Sequence, residues 1–75
     1  MAKLDARKRY TQMILKQSFL KLLKEKPVNK ITVKELCELS QINRATFYTH
    51  YSDCFALLES IEEDLLEAFR QSLKL

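Results

Sequence analysis

The segment "TVKELCELSQINRATFYTHY", Thr32 to Tyr51, contains two short helical patterns separated by the turn-forming residues "SQIN". Thr32 followed by Glu35 matches a capping box, which marks the start of a helix over roughly 33–39. Asn43 is a favourable N-cap for a second short helix that extends to about Tyr51. The segment therefore predicts two short helices joined by a tight turn.

A longer helix is predicted on each side of this pair. The first should begin with Asp5 as its cap and run to about Lys26, where Pro27 stops it. The fourth should begin with Ser52 as its cap and keep the helical spacing of its apolar residues to the end of the sequence. The predicted apolar positions are Leu15, Phe19, Leu22 and Leu23 in the first helix, Val33, Leu36, Cys37 and Leu39 in the second, and Leu57, Leu58, Ile61, Leu65, Ala68, Phe69 and Leu73 in the fourth.

Length and composition agree with these helices. Seventy-five residues make at most one domain, without room for a deep catalytic cleft. The chain has no glycine and one proline, and it is rich in helix formers. A short helix pair propped against a longer helix is the helix-turn-helix arrangement, whose second short helix enters the DNA major groove. We predict an all-α fold: a three-helix, homeodomain-like helix-turn-helix bundle plus the start of a long fourth helix.

The net charge of +3 is unevenly distributed. Residues 1–34 carry ten Lys and Arg against two Asp and Glu, or +8, and residues 35–75 carry three against eight, or −5. Such asymmetry indicates an anionic partner for the first half, most often nucleic acid. A solvated lysine face on a helix is the alternative.

On a helical wheel of the third helix, Phe47 and Tyr51 lie about 40° apart and form the inward face. Ala45 and Thr49 fall near the opposite side. The side chains of this outer face are small or hydroxylated, so the helix is narrow enough to approach base edges. The predicted outward strip comprises Ala45, Thr46, Tyr48 and Thr49.

This strip has the chemistry of a DNA-reading surface. The methyl groups of threonine and alanine can contact a thymine methyl group, and threonine and tyrosine hydroxyls can donate to phosphates. Arg44 can reach a guanine edge or the DNA backbone. The helix starts at Thr32, Asn43 and Ser52 offer backbone N–H groups to phosphate oxygens.

Each of these residues also has a purely structural interpretation. Thr32 is explained by helix capping, Tyr48 by a place at the rim of the core, and His50 by a place on the helix surface. The DNA-binding prediction therefore depends on the combination of a basic first half, a short helix pair and a hydroxyl-lined third helix.

Other functions are less well supported. Cys37, Cys54 and His50, the single histidine, lack the spacing of a metal site, and the cysteines are expected to be free thiols in a reducing cytoplasm, with a disulfide as the alternative. Cys37 and His50 lack a third orienting group for catalysis, so we predict no enzyme activity, no metal and no cofactor. The acidic residues of the fourth helix read as a solvated face: Glu62, Glu63, Asp64 and Glu67. No apolar run approaches the length of a membrane span, and a cytoplasmic protein is expected.

The string "ITVKELCELSQINRATFYTHYSDCFALLE" resembles the N-terminal DNA-binding domain of TetR-family transcriptional regulators. The family signature runs from a threonine at the start of the second helix through T-[FL]-Y-x-H-[FY] to a leucine pair in the fourth helix. The similarity covers about residues 11–58. The matching residues are Thr32, Thr46, Phe47, Tyr48, His50, Tyr51, Leu57 and Leu58.

The resemblance implies core positions for Phe47 and Tyr51. It implies phosphate or base contacts for Thr32, Lys34, Arg44, Ala45, Thr46, Tyr48, Thr49 and His50, to which the capped helix start adds Asn43. It also implies a DNA-binding domain over 1–52, with the helix-turn-helix motif at about 33–52. Residues 53–75 would be a fourth helix leading toward a C-terminal ligand-binding and dimerisation domain outside this sequence. A natural short regulator is the alternative to such a domain fragment.

Two positions depart from the family pattern. Gln41 stands where glycine is usual, so either this residue adopts a left-handed conformation or the turn is built differently. Cys54 stands where a phosphate-binding lysine is common, so that contact is not carried over.

The function expected from the resemblance is that of a bacterial transcriptional regulator, expected to be a repressor. It would bind a palindromic operator in double-stranded DNA as a homodimer, and a small-molecule effector would bind outside this chain. The competing hypothesis is a protein-interaction module that presents the apolar and acidic fourth helix to a partner.

Overall fold

The computed structural model describes residues 2–74, and the side chains of residues 6–74. Within this range the fold is all-α, as predicted, and contains no strand. The elements are α1 (Ala2–Leu23), a short 3₁₀ helix (Val28–Lys30), α2 (Val33–Ser40), α3 (Arg44–His50) and α4 (Cys54–Leu73).

Helix α1 differs from its prediction at both ends. Asp5 is not the cap, because its backbone is already helical and α1 begins at Ala2. The early residues are good helix formers with no breaker among them, so the helix extends back past Asp5. The helix ends at Leu23 instead of Lys26. Lys26 precedes Pro27, and the α conformation is disfavoured for a residue before proline, so the helix stops short of Lys26. Pro27 instead precedes the 3₁₀ helix as its N-cap.

The turn between α2 and α3 is built on Gln41. This residue is left-handed, with φ 59° and ψ 31°, and its N–H bonds to the carbonyl oxygen of Cys37. The N–H of Ile42 bonds to the same carbonyl at 3.2 Å. The first of the two alternatives for Gln41 is therefore observed. In this conformation Cβ lies close to the following carbonyl oxygen, and this contact costs free energy. Glycine has no Cβ and avoids the cost.

Replacement of Gln41 by glycine should therefore stabilise the fold. We expect the free energy of unfolding to rise by about 0.5–1 kcal/mol, the relief of strain being partly offset by glycine's larger unfolded-state entropy. Urea denaturation followed by circular dichroism measures this change. Gln41→Val should lower stability, because a β-branched residue is disfavoured at positive φ. A Gln41→Gly variant no more stable than the parent would contradict the strain argument.

Helix α4 begins one residue later than predicted. Its cap is Asp53, whose carboxylate oxygen Oδ1 accepts the N–H of Ala56 at 2.8 Å, and Ser52 lies outside the helix as an exposed residue. Aspartate and serine are comparable N-caps, so sequence alone does not separate them. The carboxylate has the additional advantage of a negative charge at the positive end of the helix dipole.

All four helices contribute to one core. The fully buried side chains are Leu15 and Phe19 of α1, Leu36 of α2, Phe47 of α3 and Leu57 of α4. Leu39 is not part of this core: 46% of its surface is exposed. On a wheel of α2 it falls about 110° from the direction midway between Leu36 and Cys37, the two buried residues of that helix.

Helix α4 contributes only its first half to the core. Leu57 and Ile61 are buried and Leu58 is half-buried, whereas every residue from Glu62 to Lys74 is exposed. The apolar pattern predicted along the whole helix is therefore confirmed as a helical face but not as a buried one. The exposed apolar positions of that pattern are Leu65, Ala68, Phe69 and Leu73. A salt bridge between Lys16 and Asp64 links α1 to α4 near the point where burial ends.

Candidate nucleic-acid interface

Helix α3 is anchored to the core by Phe47 and Tyr51, as predicted. Phe47 is fully buried and Tyr51 is 7% exposed, and their ring centroids lie 5.9 Å apart. Tyr48 packs edge-on against Phe47, with centroids 5.3 Å apart and ring planes at 84°. This contact supports the ring of Tyr48 while 49% of the residue stays exposed. The short helix is therefore held firmly from one side only.

The opposite side of α3 is open to solvent. Arg44, Ala45 and Thr49 are exposed together with Tyr48, which lies at one edge, and Thr46 and His50 are half-buried together at the other edge. The arrangement agrees with the wheel of the third helix. A helix of seven residues with a small central pair, Ala45 and Thr49, presents little bulk to a partner, so a groove of DNA can approach it closely.

The hydroxyl of Thr49 is already used within the helix. Its Oγ1 donates to the carbonyl oxygen of Ala45 at 2.8 Å. The sequence indicated that this hydroxyl would be free to donate to phosphate, and the structure corrects this: the proton is committed to the backbone one turn earlier. Thr49 keeps its methyl group and an acceptor oxygen, as is common for threonine bonded to the i−4 carbonyl.

The start of α3 is capped by Asn43. Its Oδ1 accepts the N–H of Thr46 at 2.8 Å, as the sequence predicts for an N-cap. This hydrogen bond gives Asn43 a complete structural reason for being where it is, and it fixes the direction in which α3 leaves the turn.

The start of α2 carries the predicted capping box and a further contact that the sequence did not reveal. Thr32 Oγ1 accepts the N–H of Glu35, and Glu35 Oε1 accepts the N–H of Thr32, both at 3.1 Å. The other oxygen of Glu35 accepts from Lys26 Nζ at 2.6 Å. The pKa of the Glu35 carboxyl is held below its ordinary value by these hydrogen bonds. The bond from Lys26 has the larger effect and the bond from the Thr32 N–H the smaller one. Glu35 therefore links Lys26, in the connection after α1, to the start of α2.

These bonds limit what each helix start can offer to an anion. The backbone N–H of Thr32 is occupied by Glu35, so Thr32 can meet a phosphate only through its exposed hydroxyl. Lys34, in the first turn of α2, is exposed. The start of α4 is unsuited to phosphate, because the carboxylate of Asp53 occupies it. Of the three helix starts considered from the sequence, the one assigned to Ser52 is therefore wrong.

Both cysteines are free and buried. Burial raises the pKa of the Cys37 thiol, although the Arg44 guanidinium opposes this shift. Burial also raises the pKa of the Cys54 thiol, and the negative charge of Asp53 adds to the effect. At neutral pH both groups are therefore protonated, the form that is poorly nucleophilic. The disulfide alternative is not what the structure shows.

The described residues offer little for other kinds of site. Among the side chains described, those of residues 6–74, no group of three or more His, Cys, Asp or Glu is placed to hold a metal ion. Within residues 2–74, no helix combines the length and the apolar character needed to cross a bilayer.

Comparison with known proteins gives one significant relative. The chain is 34% identical over 59 residues, 79% of its length, to the protein named "Uncharacterized HTH-type transcriptional regulator YxbF" of Bacillus subtilis (strain 168). It spans only 16% of the length of that relative. No family model and no solved structure matches the chain significantly. The chain is therefore similar, over most of its own length, to a small part of a protein named as an HTH-type transcriptional regulator.

Proposed function

We propose that the chain is a sequence-specific DNA-binding domain of a transcriptional regulator, with α3 reading the major groove. The observation that carries this proposal is the one-sided anchoring of α3. Phe47 and Tyr51 hold the helix to the core, and a narrow strip centred on Ala45 and Thr49 faces solvent. The relative's name supports the same class of function.

The proposed contacts divide into positioning and reading. Thr32 and Lys34 would bind phosphates, the first through its hydroxyl and the second through its charge. His50, at the edge of α3, would reach the backbone from the side. The residues proposed to face base edges or adjacent phosphates are Arg44, Ala45, Thr46, Tyr48 and Thr49. Asn43 would act indirectly, by holding the start of α3.

The methyl groups of Ala45 and Thr49 give this helix a definite preference. Because the Thr49 hydroxyl donates to the Ala45 carbonyl, the side chain turns no proton toward a base. Methyl groups one helical turn apart complement the C5-methyl group of thymine. We therefore propose that the centre of the recognised half-site contains thymine, with Arg44 contacting a guanine or the backbone beside it.

The finer parts of the proposal follow from the TetR resemblance. Residues 1–52 would form the DNA-binding unit, and 53–75 would lead into a ligand-binding and dimerisation domain. The complete protein would then be a cytoplasmic, TetR-like repressor that binds a palindromic operator as a homodimer and responds to a small-molecule effector. Half-sites would be spaced by about one turn of DNA, roughly 10 base pairs, or a modest extension of it.

The test starts from a DNA site that the protein itself selects from a random library, so that no operator sequence has to be assumed. Tyr48→Ala and Arg44→Ala should each weaken binding to the selected site about tenfold or more, and binding to scrambled DNA much less. Tyr10→Ala is the matched control, since Tyr10 is also an exposed tyrosine but lies on α1. Fluorescence anisotropy with both DNA duplexes measures the two affinities.

Two results would contradict the proposal. Selection that enriches no sequence would remove sequence-specific binding. Equal losses on selected and scrambled DNA for every α3 variant would leave DNA binding in place but remove reading by α3. The competing hypothesis is a protein-interaction module that uses α4. It would be favoured if charge reversal at Glu62 and Glu63 abolished binding to a protein partner and the α3 variants had no effect on that binding.

A further inference from the structure

Glu35 places a carboxylate beside a proposed phosphate contact. Its Oε1 accepts the N–H of Thr32 at 3.1 Å, and the exposed hydroxyl of Thr32 is the group proposed to meet phosphate. Because the carboxylate and the phosphate would both contact Thr32, they would lie within about 10 Å of each other. This distance is about one Debye length at 0.1 M salt, so the two negative charges would repel each other.

Lys26 brings the opposite charge to this carboxylate. Its Nζ donates to the second oxygen of Glu35 at 2.6 Å, from nine residues earlier in the chain. The side chains of Lys26 and Glu35 are 34% and 30% exposed, so solvent screens the pair only in part. The hydrogen bond from Lys26 also lowers the pKa of the Glu35 carboxyl, which is therefore ionised at neutral pH. Glu35 thus carries a full negative charge, and Lys26 offsets it.

The other helix start that carries a carboxylate is not neutralised in this way. Asp53 caps α4, and among the side chains of residues 6–74 no lysine or arginine lies within ion-pair distance of it. No phosphate contact is proposed at that helix start. At the start of α2, the exposed Lys30 and Lys34 against Glu35 leave a charge of +1, and Lys26 raises it to +2. The neutralised carboxylate is therefore the one on the surface proposed to face DNA.

We propose that Lys26 is a positioning residue for DNA binding, which acts through Glu35: it cancels the charge of this carboxylate and so allows a phosphate to approach Thr32 and Lys34. Lys26 itself does not contact the DNA. The inference rests on the proposed function, because it requires the start of α2 to meet the DNA backbone. Its effect should be the same for every base sequence, since phosphates carry no sequence information.

Removal of the Lys26 charge tests this role. Lys26→Met should weaken binding to the selected and to the scrambled duplex equally, by about three- to tenfold at about 50 mM salt. Methionine keeps most of the apolar stem of lysine but leaves the Glu35 carboxylate without a cation. The loss should shrink as salt rises to about 200 mM, because ions screen the repulsion. Fluorescence anisotropy measures the affinities, and circular dichroism establishes that the variant is folded.

A second substitution, at Glu35, separates this role from a direct contact between Lys26 and phosphate. Glu35→Gln removes the charge and keeps the capping box, in which glutamine can replace glutamate. The double variant Lys26→Met/Glu35→Gln should therefore bind both duplexes about as tightly as the parent chain. Glu62→Gln in the Lys26→Met background is the matched control, because it changes the net charge equally but lies on the exposed outer half of α4. It should not restore the affinity.

Several results would overturn the proposal. A Lys26→Met variant that binds like the parent would show that the charge of Glu35 does not hinder DNA. A double variant as weak as Lys26→Met would show that Lys26 contacts phosphate itself. A loss that does not change with salt would indicate a structural role, and equal recovery with Glu62→Gln would indicate an effect of net charge alone. All of these leave the proposed function standing if the parent prefers the selected duplex, whereas a parent that binds neither duplex would remove both.

Discussion

Replacement of Phe47 by alanine should leave the chain only marginally stable at 25 °C. Phe47 is fully buried and is the single such side chain that α3 inserts into the core. Truncation of a buried phenylalanine costs about 3–5 kcal/mol, from lost burial and from the cavity left behind. A domain of this size has a total stability of only about 5 kcal/mol. The loss therefore consumes most of the folding free energy.

The neighbouring residue supplies the control. Tyr48→Ala removes a side chain of similar size from the same helix, but one that is half exposed and packs edge-on against Phe47. Its cost should stay below about 1.5 kcal/mol. Thermal unfolding followed by circular dichroism compares the two variants. If Phe47→Ala cost no more than Tyr48→Ala, α3 would not be anchored through Phe47, and the one-sided presentation of its outer strip would be lost with it.

Tyr51→Phe should stabilise the protein by about 1–3 kcal/mol. The hydroxyl of Tyr51 is buried and has no hydrogen-bond partner among the described residues. A buried polar group without a partner costs about this much, because it gives up its hydrogen bonds to water on folding. Phenylalanine keeps the ring contact with Phe47, whose centroid lies 5.9 Å away, and removes the cost.

The same substitution at Tyr48 separates this effect from any general preference for phenylalanine. The Tyr48 side chain is exposed, so its hydroxyl is hydrated in both states and Tyr48→Phe should change stability by less than about 0.5 kcal/mol. Urea denaturation of both variants gives the comparison. A loss of stability for Tyr51→Phe would mean that the hydroxyl finds a partner in solution, and the argument from burial would fail.

The starts of α2 and α3 could be predicted from the sequence, because each is set by hydrogen bonds between residues close together in the chain. The capping box of Thr32 and Glu35 and the cap of Asn43 lie within three residues of the N–H groups they bind, and both are confirmed. The wheel of α3 placed Phe47 and Tyr51 inward for the same reason, because a helix fixes which side chains share a face. These features depend on spacing along the chain and on nothing further away.

Features that depend on tertiary contacts were missed or left open. Lys26 and Glu35 are nine residues apart, and Lys16 and Asp64 are 48 apart, so no spacing rule pairs them. The predicted start of α4 was wrong because Ser52 and Asp53 are adjacent and both are favourable N-caps; in the structure the cap is Asp53. The conformation of Gln41 stayed open because the turn geometry, not the residue, decides it. The proposed DNA contacts remain predictions.

The capping box at Thr32 has a consequence for how the proposed DNA binding depends on salt. Because Glu35 occupies the Thr32 N–H, any phosphate bound there would meet a neutral hydroxyl, while Lys34 nearby brings a full positive charge. Only the cation neutralises a phosphate and releases condensed counterions from DNA. Thr32 would therefore add affinity that added salt does not erode, whereas the contribution of Lys34 would fade as salt rises. Two neighbouring phosphate contacts on one helix would thus divide the binding free energy into a salt-resistant part and a salt-sensitive part.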